Sequence, residues 1–237
     1  MKNRMLWVVF ALACLVGVNA CNFFKSYSQS YVILLGTRQV GKEVVSEKTD
    51  LRGNRVCLSE QEMTPPNSSE KRVIRTRMVI PKEGRFPVSY AQESGEDNSY
   101  EMKLEGEQIL RTGGGAGESR TPFLPDMLLL NPTAFHTLDY WIRHYDLRKG
   151  GQQFFRTYLL PGGAVERVSV FPLDADMVES GGKKIELKNY RIEFEDGLTL
   201  LVWVDGDARL CRALMEGSNL DVIRSDFYEA ALAARDR

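Results

Sequence analysis

Apolar and polar residues alternate with a period of two along most of this chain, the signature of strands with one buried face. "VIRTRMVI" puts Ile74, Thr76, Met78 and Ile80 on one side and Val73, Arg75, Arg77 and Val79 on the other. "YEMKLEGEQILR" predicts two strands meeting at Glu105-Gly106, and "VERVSVF" opposes Val168 and Val170 to Arg167 and Ser169. "KIELKNYRIEFEDGLTLLVWVDGDARLCRALM" predicts three strands joined at Asp196-Gly197 and around Gly206-Asp207. Such turns need positive backbone φ, and strands joined by them run antiparallel. "SYVILLG" is a shorter, nearly continuous apolar run.

Three stretches depart from the alternation. "QEMTPPNSSEKR" reads as a loop, and "TGGGAGESRTPFLPDMLLLNP" as a long connection rich in glycine and proline. "NPTAFHTLDYWIRHYDLRKGG" predicts a helix of about 15 residues, with Asn131 as cap, Pro132 at the first turn and Gly150 as its stop. Phe135, Leu138, Ile142 and Tyr145 would form its apolar face. Ser225 would cap a short helix over "DFYEAALAAR". The expected fold is mainly β: an antiparallel curved sheet, an open half-barrel, with one helix packed on it and a short C-terminal helix. The expected organisation is a signal peptide over 1–20, a tether over 21–30 and a single domain over 31–237.

The first twenty residues follow a different pattern. Lys2 and Arg4 precede an apolar run from Met5 to Val18, and Asn19-Ala20-Cys21 follows. That is the layout of an export signal. Its 14 apolar residues fall short of the ~20 that cross a hydrocarbon slab as a helix. "VNAC" resembles the bacterial lipobox, which implies that Cys21 is acylated and becomes the mature N-terminus. Ordinary signal cleavage after Ala20 is the alternative. Asn22 after the cysteine, by resemblance to lipoprotein sorting, implies an outer-membrane lipoprotein facing the periplasm.

The remaining cysteines, Cys57 and Cys211, fall in predicted strands. In an exported protein they could pair as a disulfide or serve as two small buried hydrophobes. Removing Lys2 and Arg4 leaves 29 basic against 32 acidic side chains, with both signs dispersed. Nucleic acid, which needs a basic face, is therefore not an expected partner.

An exported chain opening "YVILLGTRQVGKEVVSEKTDLRGNRVCLSEQEM" and ending with "LLVWVDGDARLCRALM" resembles the bacterial exported proteins of the DUF3108 type. The resemblance covers the two ends and leaves the helical middle unmatched. It implies the open half-barrel of lipoprotein carriers of the LolA/LolB kind, which bind acyl chains on a concave face. It carries over no catalytic residue.

Candidate chemistry is sparse. "TGGGAGES" has no Gly-Lys-Ser or Gly-Lys-Thr and is followed by Glu118, so it reads as a flexible loop and not a phosphate cradle. His136 and His144, eight apart on the predicted helix, lie two turns or ~12 Å from each other and cannot share one metal ion. His136 beside Asp139 or Tyr140 could move a proton, but the bland expectation is amphipathic helix surface. No Gly-x-Ser-x-Gly elbow occurs. Asp205 and Asp207 read as turn residues, and no catalytic residue, metal or cofactor is expected.

Aromatic residues concentrate on the strands after the helix, and Trp203, Phe194, Phe171 and Tyr158 are the expected lining of a concave face. The expected function is non-enzymatic: a lipid-anchored envelope protein, held to the membrane through Cys21, that binds or chaperones a lipid or acyl chain. The alternative is a structural lipoprotein that docks an envelope protein partner through "PFLPDMLLL".

Overall fold

The structure is a computed structural model and describes residues 26–235, except 66–67, 96–97 and 116. Cys21 and the signal lie outside the described residues. The order is β1 (Tyr27–Leu35), β2 (Arg38–Thr49), β3 (Arg55–Met63), β4 (Arg72–Ile80), β5 (Ser89–Glu93), β6 (Tyr100–Glu105), β7 (Gln108–Gly113), β8 (Ser119–Pro122) and β9 (Leu128–Leu130). Helix α1 (Phe135–Ile142) follows, then β10 (Gln153–Leu159), β11 (Ala164–Pro172), β12 (Asp176–Ser180), β13 (Lys183–Glu193), β14 (Thr199–Val204), β15 (Leu210–Met215) and β16 (Leu220–Arg224). A 3-10 turn (Ser225–Phe227) leads into helix α2 (Tyr228–Arg235).

The strands form one sheet in the order β8-β7-β6-β5-β4-β3-β2-β1-β16-β15-β14-β13-β11-β10-β9, with β12 pairing β13 beside that path. All pairs are antiparallel except β9 with β10. The sheet does not close through hydrogen bonds. Its two edges, β8 and β9, are consecutive in the chain, so residues 123–127 bridge the seam covalently. Phe86, packed on Phe123 at 5.2 Å and on Tyr158 at 6.3 Å between ring centroids, fills the gap.

The predicted alternation is observed. Thr76, Met78 and Ile80 are buried inside, while Arg75 pairs with Glu60 outside. β1 already begins at Tyr27, inside the stretch expected to be a tether.

The central helix departs from expectation in length and surroundings. It has 8 residues, all buried. Asn131 does not cap it: its Oδ1 accepts from the Thr133 N–H and hydroxyl, closing a turn that reverses the chain first. Nor does α1 lie on a sheet face. Its side chains reach β2 and β4 through His136, β15 through Asp139 and β10 through Trp141, so sheet surrounds it. The space enclosed by the sheet is therefore occupied by the protein itself. A helix of ~12 Å is what such an interior encloses.

Strand register separates two ends. Gly41, Met63 and Arg72 align at one end, with Tyr100 opposite Gly113 there. Thr49, Arg55 and Ile80 align at the other, with Tyr27 opposite Glu47 and Leu210 opposite Val204. The chain arrives at the first end through β9, turns at Asn131, and α1 runs back towards the second.

Candidate functional site

At the first end a cavity of about 800 Å³ opens between Arg72, Val73, Gln92, Asn98, Arg111 and Pro161. Arg111 is the unusual member. Alternation on β7 turns Ile109 and Arg111 inward together, and Arg111 is only 4% exposed. Its Nε–H is buried and meets no acceptor. Among the described residues no carboxylate pairs with it, and the guanidinium lies 5.5 Å from the centroid of the Tyr100 ring. A buried unpaired charge is costly, so such arginines normally carry a partner.

Two glycines make room for it. A Cβ at Gly114 (φ +67°) would stand 2.9 Å from Arg111 Nη2, and one at Gly163 would stand 3.0 Å from the Tyr158 hydroxyl and 3.8 Å from Arg111 Cδ. The stretch "TGGGAG", expected to be merely flexible, thus contains a glycine that admits the guanidinium. Behind Arg111 the Tyr100 hydroxyl donates to Gln92 Oε1 at 3.1 Å, and Asn131 Nδ2 lies 3.0 Å from Tyr90 Oη, Gln92 Oε1 and Tyr100 Oη. Burial raises the pKa of Tyr90, Tyr100 and Tyr158, so all three keep their protons as donors. The Tyr158 hydroxyl makes no well-formed hydrogen bond.

The opposite end is also rich in arginine, and there Arg55, Arg143, Arg209 and Arg224 are each paired. Glu47 meets Arg209 at 2.8 Å and Arg55 at 3.2 Å, while Asp139 on α1 is bonded to Arg143 and lies 3.3 Å from Arg209. The Asp139 carboxylate also accepts the Leu210 N–H at 2.7 Å. Burial pushes the Glu47 carboxyl up, but the bond from Arg209 and the charges of Arg143, Arg209 and Arg55 more than offset it and hold it below the usual range. Arg224 is bound by Asp205 and Asp226. A second cavity, about 820 Å³, lies over this balanced network.

Between the ends, His136 Nδ1 meets Glu43 Oε1 at 2.8 Å, its Nε2 meets Thr76 Oγ1 at 3.1 Å, and Thr76 meets Ser59 at 3.1 Å. The connectivity is that of a hydroxyl–imidazole–carboxylate relay. All four residues are buried in the core. Glu43 also accepts the Phe135 N–H, supplying the start of α1 with the cap its own residues lack. The relay is a clamp on the helix. His136, expected on a helix surface, is thus a core residue.

The sequence-predicted lining residues do not share a face. Phe194 and Tyr158 are in the interior core. Trp203 pairs in register with Asn189 on the outer face, where its Nε1–H donates to Asp176 and Arg212 covers its ring. Phe171 is also outside, beneath Arg191. None of the four lines the Arg111 cavity. The disulfide considered for Cys57 and Cys211 is not made. Cys57 packs in the interior and Cys211 in a separate cluster under α2, both as free thiols that burial pushes up to about 12. Leu128–Leu130, part of the expected docking loop, are strand β9 and fully buried. Among the described residues no cluster could hold a metal ion, and no helix is long and apolar enough to cross a membrane.

No family model matches the chain, and no curated protein matches it. Among solved structures it is similar to a β-barrel-like protein of the domain-of-unknown-function family DUF1849 from Brucella abortus. The TM-score is 0.56 at 11% identity, covering 85% of this chain and 95% of that one. The likeness is one of fold. A DUF1089 family protein from Pseudomonas aeruginosa aligns over 81% of this chain and 90% of its own, with 15% identity and a TM-score of 0.36. What stands of the DUF3108 resemblance is a β-barrel-like architecture.

Proposed function

We propose that this protein is a non-enzymatic binding protein that holds a small amphiphile, of the lipid or acyl-chain class, in the cavity beside Arg111. The observation that carries this reading is a cavity of ligand size lined by a buried arginine whose Nε–H meets no acceptor and which pairs with no carboxylate among the described residues. Val73, Ile74 and Pro161 supply its apolar wall. The site differs from the concave face inferred from sequence, because α1 fills that space. The export signal and "VNAC" support placement in the cell envelope on a lipid at Cys21, with ligand and membrane then on the same side. A native mass spectrum of the protein isolated from cells expressing the full chain tests both parts. A small-molecule adduct lost on denaturation, and a mature mass carrying acyl groups on Cys21, are the expected results. A clean apo mass removes the ligand reading; an unacylated chain cut after Ala20 removes the anchor.

The docking alternative loses the apolar end of its loop, since Met127–Leu130 are core, and keeps only Leu124 as an exposed large apolar side chain there.

A further inference from the structure

The cavity beside Arg111 has a charge character that its size alone does not give. Two arginines, Arg72 and Arg111, line it, and no carboxylate among the described residues does. Every other side chain there that carries hydrogen-bonding groups is neutral. The Tyr100 hydroxyl is already committed to Gln92 and lies against Asn131, so it is not free to stabilise a cation. Gly114 leaves the space in which the Arg111 guanidinium lies, and Gly163 leaves the space beside its aliphatic stem. The result is a buried guanidinium whose Nε–H meets no acceptor, on a residue that lines a cavity of ligand size.

We infer that this cavity is an oxyanion site: the ligand carries a carboxylate or phosphate group that accepts hydrogen bonds from Arg111, with Arg72 as second cation at the mouth. The inference rests on the binding reading above and names the ligand's polar group. A guanidinium matches both oxyanions in bidentate geometry, and charge-assisted bonds of this kind are the strong ones. Since Arg111 is desolvated by the fold before the ligand arrives, the anion meets a donor already oriented and stripped of competing water. Arg72, on the outer reach of β4, is exposed and acts by attraction more than by fixed contact.

Two explanations compete at this cavity. The oxyanion could be the head of an amphiphile or a free small anion. Glu96 and Asp97, between Gly95 and Asn98 in sequence, lie outside the described residues, and neutralising them tests for a counter-ion within the chain.

The test is calorimetric titration of the full-length mature protein, freed of ligand by unfolding and refolding, with dodecanoate, dodecanol and inorganic phosphate. Each is run on wild type, Arg111→Met, Arg111→Lys and the double variant Glu96→Gln/Asp97→Asn. We expect dodecanoate to bind at least about tenfold more tightly than dodecanol, the preference to vanish in Arg111→Met, and Arg111→Lys to keep part of it. The double variant should bind dodecanoate at least as well as wild type. Phosphate binding without dodecanoate binding would support the oxyanion site and overturn the amphiphile reading. Equal binding of dodecanoate and dodecanol, unchanged in Arg111→Met, would overturn the oxyanion site and leave the amphiphile reading standing. A marked gain of anion binding in the double variant, from none in wild type, would show that Arg111 is satisfied internally and overturn the inference. No binding of any probe to any variant would overturn both.

Discussion

The two ends of this barrel use the same residue under opposite conditions. At one end Arg143, Arg209 and Arg224 each meet carboxylates, and the network ties α1 to β2 and β15. At the other, Arg111 is more deeply placed, lies against the face of a tyrosine and pairs with no carboxylate among the described residues. An arginine inside a network holds elements together; one without a carboxylate adds no such tie and leaves its hydrogen bonds to be made by something else. The difference separates the part of the interior that stabilises the fold from the part available for binding.

Breaking the paired end should have the larger effect. Asp139→Asn removes the charge that balances Arg143 and Arg209 and weakens the acceptor for the Leu210 N–H; urea unfolding should show a loss of about 3 kcal/mol, within the range for a broken buried ion pair. At the other end Gly114→Ala should cost about 1–2 kcal/mol, because a Cβ is strained at φ +67° and meets Arg111 Nη2. It should also lower affinity for an anionic ligand, which a purely local strain would not do.

A pH series sharpens the comparison further. Burial, with the nearby charges of Arg85 and Arg143, lowers the pKa of His144 despite its bonds to the Trp141 and Tyr140 carbonyls. The unfolded chain therefore binds the proton more readily. Stability from this group is complete above the unfolded value, about 6.5, and is lost as pH falls through the lower folded value. Wild type should lose Tm over that acid interval and His144→Gln should lose less. A second loss, from Glu47, should follow below about 4.5, where the unfolded chain takes up the proton before the folded one, and should run on as pH falls through the lower folded value.

Much of the sheet was legible because a period of two survives in the strands. Ile109 and Arg111 fall on the same parity as each other, so a charge at an inward position was visible in "QILRTG". The glycines after it read as a loose loop, which masks the inward place of Arg111. Trp203 and Phe194 were placed together from their adjacent strands, but only register tells that Trp203 faces Asn189's side and Phe194 the other. The helix was legible in its existence and not in its length. Its polar residues are satisfied by Glu43 and Thr76, which lie 93 and 60 residues away from His136. No local pattern announces partners so distant, and without them a His-Asp-Tyr helix reads as surface.

The measurement that tests the contrast most directly is the stability of Arg111→Met against wild type, both freed of ligand, in urea. If Arg111 is kept without an internal partner for a ligand's sake, replacing it by an apolar side chain of similar length should leave stability unchanged or raise it by about 1 kcal/mol. A loss of about 3 kcal/mol or more, comparable to Asp139→Asn, would mean that Arg111 is held by a carboxylate of the protein itself. The two ends would then be alike, and the case for a binding site at Arg111 would fail.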